Sequence, residues 1–382
     1  MLQNAFLAFL WTNVYTDEGE GAFIKLMGWL WSVYQRMLCQ LKERLNLRRD
    51  KMEPRGGYYS KKLPDVMSEY NLSIEDYEII KELKYDKVWL VKDKKYGRKL
   101  VVKRLEKTKS VFPILLHQKL DKSNLLVPPV ILSRDGEAYV QIKERYFYVN
   151  EFVGSLKKIS TDRRIEALAA FHKTARFKEL RGIDEGLEEE GLEGFLNDYS
   201  LKIKQMCDWG ESVKNPALKK KLVEMERMGK KIYQLIQSYD VKSYLQKMKD
   251  KHSICHADYN MNNAYLTKEG KSLILDFDFA NFGPPIYDFR FLMESLMRKE
   301  DQDMKKMLVS LFTIYFDKLP EDRRYRDLYL LDSMFPHDFY SQVSSIVNKE
   351  GLNGLEKNKK RLIQLAGREK KKYRFLLKEE LK

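Results

Sequence analysis

The stretch that decides the fold is Ile254-Cys255-His256-Ala257-Asp258-Tyr259-Asn260-Met261-Asn262-Asn263, followed by Leu273-Ile274-Leu275-Asp276-Phe277-Asp278. Phosphoryl transfer to a hydroxyl needs a carboxylate that accepts the nucleophile's proton and oxygen ligands that hold Mg²⁺ against the phosphates. Asp258 offers a carboxylate on a loop, and Asn263 offers a neutral amide oxygen five residues later. Asp276 comes at the end of an apolar strand, where its charge would face the same metal. The two stretches therefore predict a phosphoryl-transfer site.

Each part of this pattern is ambiguous alone. A His-x-Asp-x-x-x-x-Asn match arises by chance, and an aspartate after an apolar run is more often a strand end or a helix cap. The order along the chain is more specific: a strand-rich region with Lys103 on its third strand, a helical region, the loop pattern, and Asp276 13 residues after Asn263. This order predicts an α+β, two-lobed protein kinase-like fold with a small antiparallel β lobe and a large helical lobe.

Short β-branched or aromatic runs separated by turn-prone residues predict a five-stranded antiparallel sheet in the first lobe. The runs are Tyr77–Leu83, Val88–Val91, Lys99–Arg104, Ala138–Ile142 and Phe147–Phe152, with a helix over Ser110–Leu120. After Gly154 a helical period prevails. It predicts helices over Asp162–Phe177, Leu192–Trp209, Leu218–Tyr239, Val241–Lys249, Tyr287–Arg298 and Met304–Phe316.

The composition is that of a folded protein with a basic surface. Hydrophobic residues make up 43% of the 382, which excludes collagen-like, mucin-like and wholly disordered chains. The net charge is +15, and residues 201–251 and 349–382 each carry an excess of +7. Their lysine clusters Lys219–Lys221 and Lys370–Lys372 are more typical of solvated helix faces than of binding sites for acidic partners, so we expect no nucleic-acid partner.

Three cysteines at wide spacing, Cys39, Cys207 and Cys255, support neither a disulfide framework nor a zinc site. A reducing compartment, the cytoplasm, fits this usage best.

The first fifty residues contain an apolar segment, Ala22–Cys39, that Lys25, Gln35 and Arg36 interrupt. The uninterrupted run is too short for the roughly 30 Å of hydrocarbon in a bilayer, so we expect no transmembrane segment. The pattern predicts an amphipathic helix. It either docks on the main domain or makes a peripheral contact with a membrane or coat surface.

The motifs resemble those of aminoglycoside phosphotransferase and choline kinase-like proteins. The resemblance rests on His256-x-Asp258-x-x-x-x-Asn263, Leu275-Asp276-Phe277-Asp278, Pro284-Pro285-x-x-Asp288 and the helix Ala167-Leu168-Ala169-Ala170-Phe171-His172. A narrower likeness is to the CotS family of bacterial spore coat proteins. It rests on Phe335-Pro336-His337-Asp338-Phe339-Tyr340, Ala170-Phe171-His172-Lys173 and Lys62-Leu63-Pro64. Together these likenesses cover roughly residues 60–345.

The resemblance implies a role for each matching residue, with ATP and Mg²⁺ as cofactors. Asp258 would be the general base, Asn263 and Asp276 the Mg²⁺ ligands, and Lys103 the contact to the ATP phosphates. Residues 150–153 (Asn150, Glu151, Phe152 and Val153) would form the hinge and would pair adenine through backbone groups. His256 and Asp288 would brace the loop, and Asp278 would be a second metal ligand or a capping residue.

The sequence patterns, together with the resemblance over residues 60–345, predict a division of the chain. Residues 1–51 would form an N-terminal amphipathic helical extension, 52–153 the nucleotide-binding lobe, 154–345 the helical lobe with the catalytic loop, and 346–382 a basic helical tail, solvated or bound to a partner.

Three departures from the family pattern stand out. The loop Lys84-Tyr85-Asp86-Lys87 has no glycine, so backbone amides approach phosphates less closely than in a glycine-rich loop. The helix after Lys103 reads Leu115-Leu116-His117-Gln118, without the glutamate that usually orients the lysine in kinases. Ala257 stands where these phosphotransferases commonly have glycine.

Two functions remain open on these grounds. The chain is either an ATP- and Mg²⁺-dependent phosphotransferase acting on a hydroxyl of a small molecule or coat component, or a structural coat protein with a non-catalytic kinase fold. In both cases the CotS likeness implies synthesis in the mother-cell cytoplasm, a place in the spore coat, and other coat proteins as partners.

Overall fold

The computed structural model describes residues 57–105, 110–123, 125–183, 191–297 and 304–380. The amphipathic helix predicted within residues 1–51 lies outside them. Everything described below belongs to one compact unit, Lys62–Lys382, which contains both lobes.

The first lobe is an antiparallel sheet of six strands, one more than predicted. The strands are β1 (Tyr77–Lys84), β2 (Val88–Asp93), β3 (Lys99–Arg104), β4 (Val130–Ile131), β5 (Val140–Ile142) and β6 (Arg145–Glu151). Their order is β1-β2-β3-β6-β4, with β5 paired to β6. Strand β4 was missed because two residues after Pro128-Pro129 are too few to show an alternating pattern.

Two helices accompany this sheet, α1 (Leu63–Ser68) and α2 (Phe112–Asp121). Helix α2 has two apolar sides. Ile114 packs with Tyr148 of β6 and Leu105, whereas Phe112 and Leu116 join the core of the second lobe. Helix α2 therefore connects the two lobes beside the cleft between them.

The second lobe is helical and holds two small sheets near the cleft. Its first helices are α3 (Thr161–Thr174), α4 (Leu192–Ser212), α5 (Pro216–Ser238), α6 (Val241–Asp250), α7 (Ile286–Met297) and α8 (Met304–Lys318). The short strands are β7 (Lys157–Lys158), β8 (Ile254–Cys255), β9 (Ala264–Leu266), β10 (Ser272–Ile274) and β11 (Asn281–Phe282), arranged as β10-β9-β7 and β11-β8. The predicted two-lobed α+β architecture is confirmed.

Local sequence explains where these helices begin. The Ser160 hydroxyl accepts from the Arg163 amide at the start of α3, and the Asn215 side chain accepts from the Leu218 amide at the start of α5. Pro216 occupies the first turn of α5, where an amide would lack a helical partner.

The C-terminal part is packed into the helical lobe more closely than a solvated tail would be. It forms α9 (Arg326–Met334), α10 (His337–Glu350), α11 (Leu352–Lys357) and α12 (Lys359–Glu380), so the boundary predicted at residue 345 falls inside α10. Leu362, Ala366 and Leu376 of α12 are buried in the same core as the other helices. The solvated face predicted for Lys370–Lys372 is wrong for Lys372, which is buried and donates to the Phe335 carbonyl at 3.2 Å.

Within the described ranges, no helix combines the length and the apolar character needed to cross a bilayer.

Candidate active site

The loop between β8 and β9 is held from below by one buried carboxylate. Asp288 of α7 accepts from the backbone amides of His256 (2.6 Å) and Ala257 (2.8 Å). His172 of α3 donates from Nε2 to the same carboxylate at 3.0 Å, and its Nδ1 lies 2.7 Å from the Tyr315 hydroxyl. The bracing role predicted for Asp288 is confirmed, and two helices position the loop through it.

Both ends of the loop are bound to Leu275, the residue before Asp276. The fully buried His256 ring donates from Nε2 to the Leu275 carbonyl at 2.9 Å, and the Leu275 amide donates to the Asn263 carbonyl at 2.9 Å. His256 is therefore a structural tie, as predicted. The ties fix Asp276 relative to the loop.

Asp258 and Asn263 meet on this loop. Asn263 donates from Nδ2 to the Asp258 carboxylate at 3.0 Å, and Asn260 donates from Nδ2 to its other oxygen at 2.8 Å. Both oxygens of Asp258 are thus oriented by amides. Because Nδ2 of Asn263 faces Asp258, the amide oxygen is the atom that Asn263 can offer to a cation.

Lys103 crosses the cleft to the second lobe. Its ammonium lies 2.9 Å from Oδ1 of Asp276 and 3.3 Å from Oδ1 of Asp278, although Asp276 is 173 residues away in the chain. Burial works against the charge, but the Tyr148 oxygen and the carboxylates of Asp278 and Asp276 raise the pKa of Lys103 well above its usual range. The lysine is therefore a fixed cation at the cleft.

The oxygen donors present fit a Mg²⁺ ion only in part. Asn263 and Asp276 supply an amide and a carboxylate oxygen, which are ligands that Mg²⁺ prefers. Across the described residues, no group of three or more His, Cys, Asp or Glu side chains is arranged to hold a metal. The remaining ligands would be phosphate oxygens and water, which is the usual way in which Mg²⁺ is bound beside nucleotides.

The predicted hinge lies where β6 leaves the sheet. The Glu151 amide donates to the Pro129 carbonyl and the Phe152 amide to the Lys99 carbonyl, each at 2.8 Å, so both are used inside the lobe. For the Val153 amide no such partner occurs within the described part of the chain. Of these three residues, Val153 is the one whose backbone donor is available to a base.

Two cleft side chains come from β6: Tyr148, which the sequence analysis does not single out, and Asn150, which it names only as a hinge residue. The strand register places Tyr148 opposite Lys103 and Asn150 opposite Val101, so both side chains share the face that carries the Lys103 ammonium. Tyr148 donates to Asp278 at 3.2 Å, and the buried Oδ1 of Asn150 has no hydrogen-bond partner among the residues that the structure describes. Alternation along β6 counted from Lys103 was the signal that could have identified them.

The turn between β1 and β2 is short and pinned. The Lys87 amide donates to the Lys84 carbonyl at 3.0 Å, and Nε of Arg104 on β3 donates to the Asp86 carbonyl at 2.8 Å. Asp86 takes a positive φ of 51°, a conformation that favours glycine. The glycine-free loop is thus an ordered hairpin turn fastened to the neighbouring strand.

Helix α2 presents a neutral histidine towards Lys103 rather than a carboxylate. Nε2 of His117 donates to the Pro128 carbonyl at 2.8 Å, and its ring contacts those of Tyr148 and Phe277. Burial lowers the pKa of His117 to about 4. The second departure seen in the sequence is therefore present in the fold, because an imidazole, neutral or protonated, supplies no negative charge in place of the glutamate.

The Phe335–Tyr340 element belongs to a buried polar network away from the cleft. His337 lies 3.0 Å from Asp332, and Arg290 of α7 donates to the same carboxylate at 2.6 Å. Tyr199 of α4 also donates to Asp332. Through Asp332 this element connects α4, α7, α9 and α10, so its role in the fold is structural.

The comparisons with known proteins agree with this geometry. The sequence matches the phosphotransferase enzyme family APH over residues 84–326. The fold is similar to an aminoglycoside phosphotransferase from Alicyclobacillus acidocaldarius subsp. acidocaldarius, with a TM-score of 0.58, 16% identity, and coverage of 81% of this chain and 96% of that one. It is also similar to AMP-bound spectinomycin phosphotransferase APH(9)-Ia, with a TM-score of 0.50, 12% identity, and coverage of 80% and 97%.

At these identities the structural likeness concerns the fold alone. The family match, in contrast, spans more than half of the sequence and includes Lys103, the loop with Asp258 and Asn263, and Asp276. The chain therefore belongs to the phosphotransferase enzyme family APH and has its kinase-like fold.

Proposed function

We propose that this chain is an ATP- and Mg²⁺-dependent phosphotransferase that acts on a hydroxyl of a small molecule or coat component. One observation carries the proposal: Lys103 and Asp276 come from different lobes and meet at 2.9 Å, and Asp276 follows the residue to which both ends of the Asp258 loop are bound. In this proposal one cleft contains Lys103 as the cation for the phosphates, Asp276 as the carboxylate for the metal and Asp258 as the carboxylate that accepts the proton.

Each side chain has a separate task in this proposal. Asp258 accepts the proton of the attacking hydroxyl, and its amide partners keep the carboxylate oriented for that transfer. Asn263 and Asp276 hold Mg²⁺, which when bound neutralises charge developing on the transferred phosphoryl group. Lys103 contacts the phosphates, and the Glu151, Phe152 and Val153 backbone receives adenine, with the Val153 amide as donor.

We also propose a CotS-type role for the chain. It would be made in the mother-cell cytoplasm and reach the spore coat, with other coat proteins as partners. The support is the Phe335-Pro336-His337-Asp338 element, which is built into the helical lobe through Asp332.

A non-catalytic coat scaffold is the second candidate. The observation that favours it is the pinned turn at Asp86 together with His117 in place of a carboxylate. The turn at Asp86 brings fewer backbone amides to the ATP phosphates than a glycine-rich loop does. His117 cannot orient Lys103 as the glutamate of other kinases does.

A thermal-shift titration with ATP and Mg²⁺ tests the first candidate against the second. We expect the wild type to be stabilised only when both are present, because ligand binding to the folded state raises the melting temperature. Asp276→Ala should lose this stabilisation. Asp258→Asn should keep it and lose transfer of phosphate to water or an added hydroxyl acceptor, measured as ADP release.

The control is Asp65→Asn on α1, an exposed position far along the chain from the cleft motifs, which should behave as the wild type. No stabilisation of the wild type at millimolar ATP and Mg²⁺ would leave the scaffold as the function.

A further inference from the structure

We infer that Asp278, steadied by Tyr148, is the fixed counter-ion of Lys103 and takes the place of the helix glutamate of other kinases, where α2 has His117. Asp278 is then a positioning residue rather than a second metal ligand. The inference deepens the proposed function and rests on it, since it concerns how the lysine is oriented for phosphate binding.

The first support is that three groups converge on one point. Oδ1 of Asp278 accepts from the Lys103 ammonium at 3.3 Å and from the Tyr148 hydroxyl at 3.2 Å. Lys103 and Tyr148 lie opposite each other in the β3–β6 register, and the ammonium is 5.9 Å from the centre of the tyrosine ring. The rigid sheet therefore sets the position of both donors, and Asp278 meets them from the second lobe.

The second support is the geometry around Phe277. This ring is 2% exposed and packs against the rings of Phe171 and His256 in the helical lobe. Because Phe277 is held inward, its two neighbours, Asp276 and Asp278, are both directed to Lys103. The Leu-Asp-Phe-Asp string thus delivers two carboxylates to one ammonium.

The third support is the environment on the side of α2. The His117 ring lies 6.3 Å from that of Tyr148 and 5.2 Å from that of Phe277, and its Nε2 lies 2.8 Å from the Pro128 carbonyl, so this position on α2 offers no anion to Lys103. The Lys103 side chain is only 17% exposed, so its ammonium needs a counter-ion inside the protein. Asp278 is 28% exposed and Asp276 43%, which leaves the more accessible carboxylate for the metal and the more enclosed one for the lysine.

The test begins with the nucleotide-free, full-length protein. Acetylation of Lys103 by an N-hydroxysuccinimide ester is followed by peptide mass spectrometry, with the exposed Lys92 of β2 as internal reference. Asp278 holds the ammonium in the cleft, so its loss should release the amine towards solvent and the ester and raise the rate. We expect Asp278→Asn to accelerate labelling of Lys103 about fivefold and Tyr148→Phe to do so by a smaller factor.

Rescue separates positioning from general loosening of the cleft. His117→Glu restores a carboxylate on α2, and in the Asp278→Asn background it should return the labelling rate to within about twofold of the wild type. Asp278→Glu keeps the charge and should behave similarly, which covers the case in which His117→Glu does not fold. Fast labelling in Asp278→Glu, or an unchanged rate in Asp278→Asn, would overturn the inference.

The metal dependence distinguishes an anchor for lysine from a ligand for Mg²⁺. In a Mg²⁺ titration of the ADP-dependent thermal shift, Asp276→Asn should move the midpoint by about tenfold or more, and Asp278→Asn should leave it within about twofold. An equal displacement in both variants would make Asp278 a metal ligand and refute the inference. If nucleotide stabilises no variant, the proposed phosphotransferase fails, whereas the labelling of Lys103 still decides whether Asp278 anchors it.

Discussion

Two residues of the candidate site adopt a backbone conformation that favours glycine. Ala257 has a φ of 59° and Asp276 a φ of 65°. A side chain in this region costs roughly 1–2 kcal/mol, which surrounding contacts must offset. For Ala257 the hydrogen bond from its backbone amide to the Asp288 carboxylate supplies such a contact. For Asp276 the ion pair with Lys103 does so.

Ala257→Gly should therefore stabilise the protein. Relief of backbone strain should stabilise the folded state by roughly 1–2 kcal/mol. The greater conformational freedom of glycine stabilises the unfolded chain by about 0.5–1 kcal/mol, so the free energy of unfolding should rise by about 0.5 kcal/mol. Urea denaturation measures it. Ala169→Gly within α3, where φ is helical, should instead lower that free energy, and a loss in both variants would contradict the strain argument.

At the residue scale, spacing singled out Asp258, Asn263 and Asp276, and the family resemblance added Lys103 on the third strand. The structure pairs Asp258 with Asn263 and Lys103 with Asp276. Tyr148 was not found and Asn150 was named only as a hinge residue, because their place in the cleft depends on the pairing of β6 with β3, a long-range register that no local pattern contains. The same limit applies to Asp278, whose partner Lys103 is 175 residues away.

Among the elements, α12 shows how neighbouring like charges can have different roles. Lys372 is 1% exposed and lies 2.6 Å from the buried Glu369, whereas Lys371 is exposed. The pKa of Glu369 is raised by burial even with Lys372 beside it. Each member of the pair also contacts the neighbouring helices: Lys372 donates to the Phe335 carbonyl, between α9 and α10, and Glu369 accepts from the Phe339 amide of α10 at 3.3 Å.

Lys372→Ala should lower the free energy of unfolding by about 3–5 kcal/mol, because it leaves the Glu369 carboxylate buried without its partner. Lys371→Ala is the matched control and should change it by less than about 0.5 kcal/mol. Guanidinium denaturation distinguishes the two. Equal effects would mean that α12 is solvated along its whole surface, as the lysine cluster suggested.

Element prediction succeeded where periodicity was long and failed where elements were short. Helices α4, α5 and α8 follow from extended apolar patterns, and their starts were placed within two residues. Strand β4 and the small strands around the loop have two or three residues each, so pairing with other segments, rather than their own sequence, makes them strands.

For the whole molecule, stability should depend on pH through two buried imidazoles. Burial lowers the pKa of His117 to about 4, and burial together with the charge of Arg290 lowers that of His337 to about 3. In the unfolded chain both titrate near 6.5. Below that pH the unfolded state binds more protons, so the free energy of unfolding decreases as the pH falls.

From pH 7 to pH 5 each imidazole should contribute about 2 kcal/mol to this decrease. Urea denaturation of the wild type and of His117→Gln at both values provides the measurement. The variant should lose about 2 kcal/mol less than the wild type over this interval. Parallel losses would show that His117 becomes protonated in the folded protein.

The hydrogen bond from Arg104 to the Asp86 carbonyl affects how a nucleotide would bind and dissociate. A long flexible loop can close over a bound nucleotide and release it only after opening. A hairpin turn that is hydrogen-bonded to β3 cannot swing over the phosphates in this way. The rate of nucleotide dissociation would then depend on the charged side chains that contact the phosphates. We expect this rate to rise as the ionic strength increases.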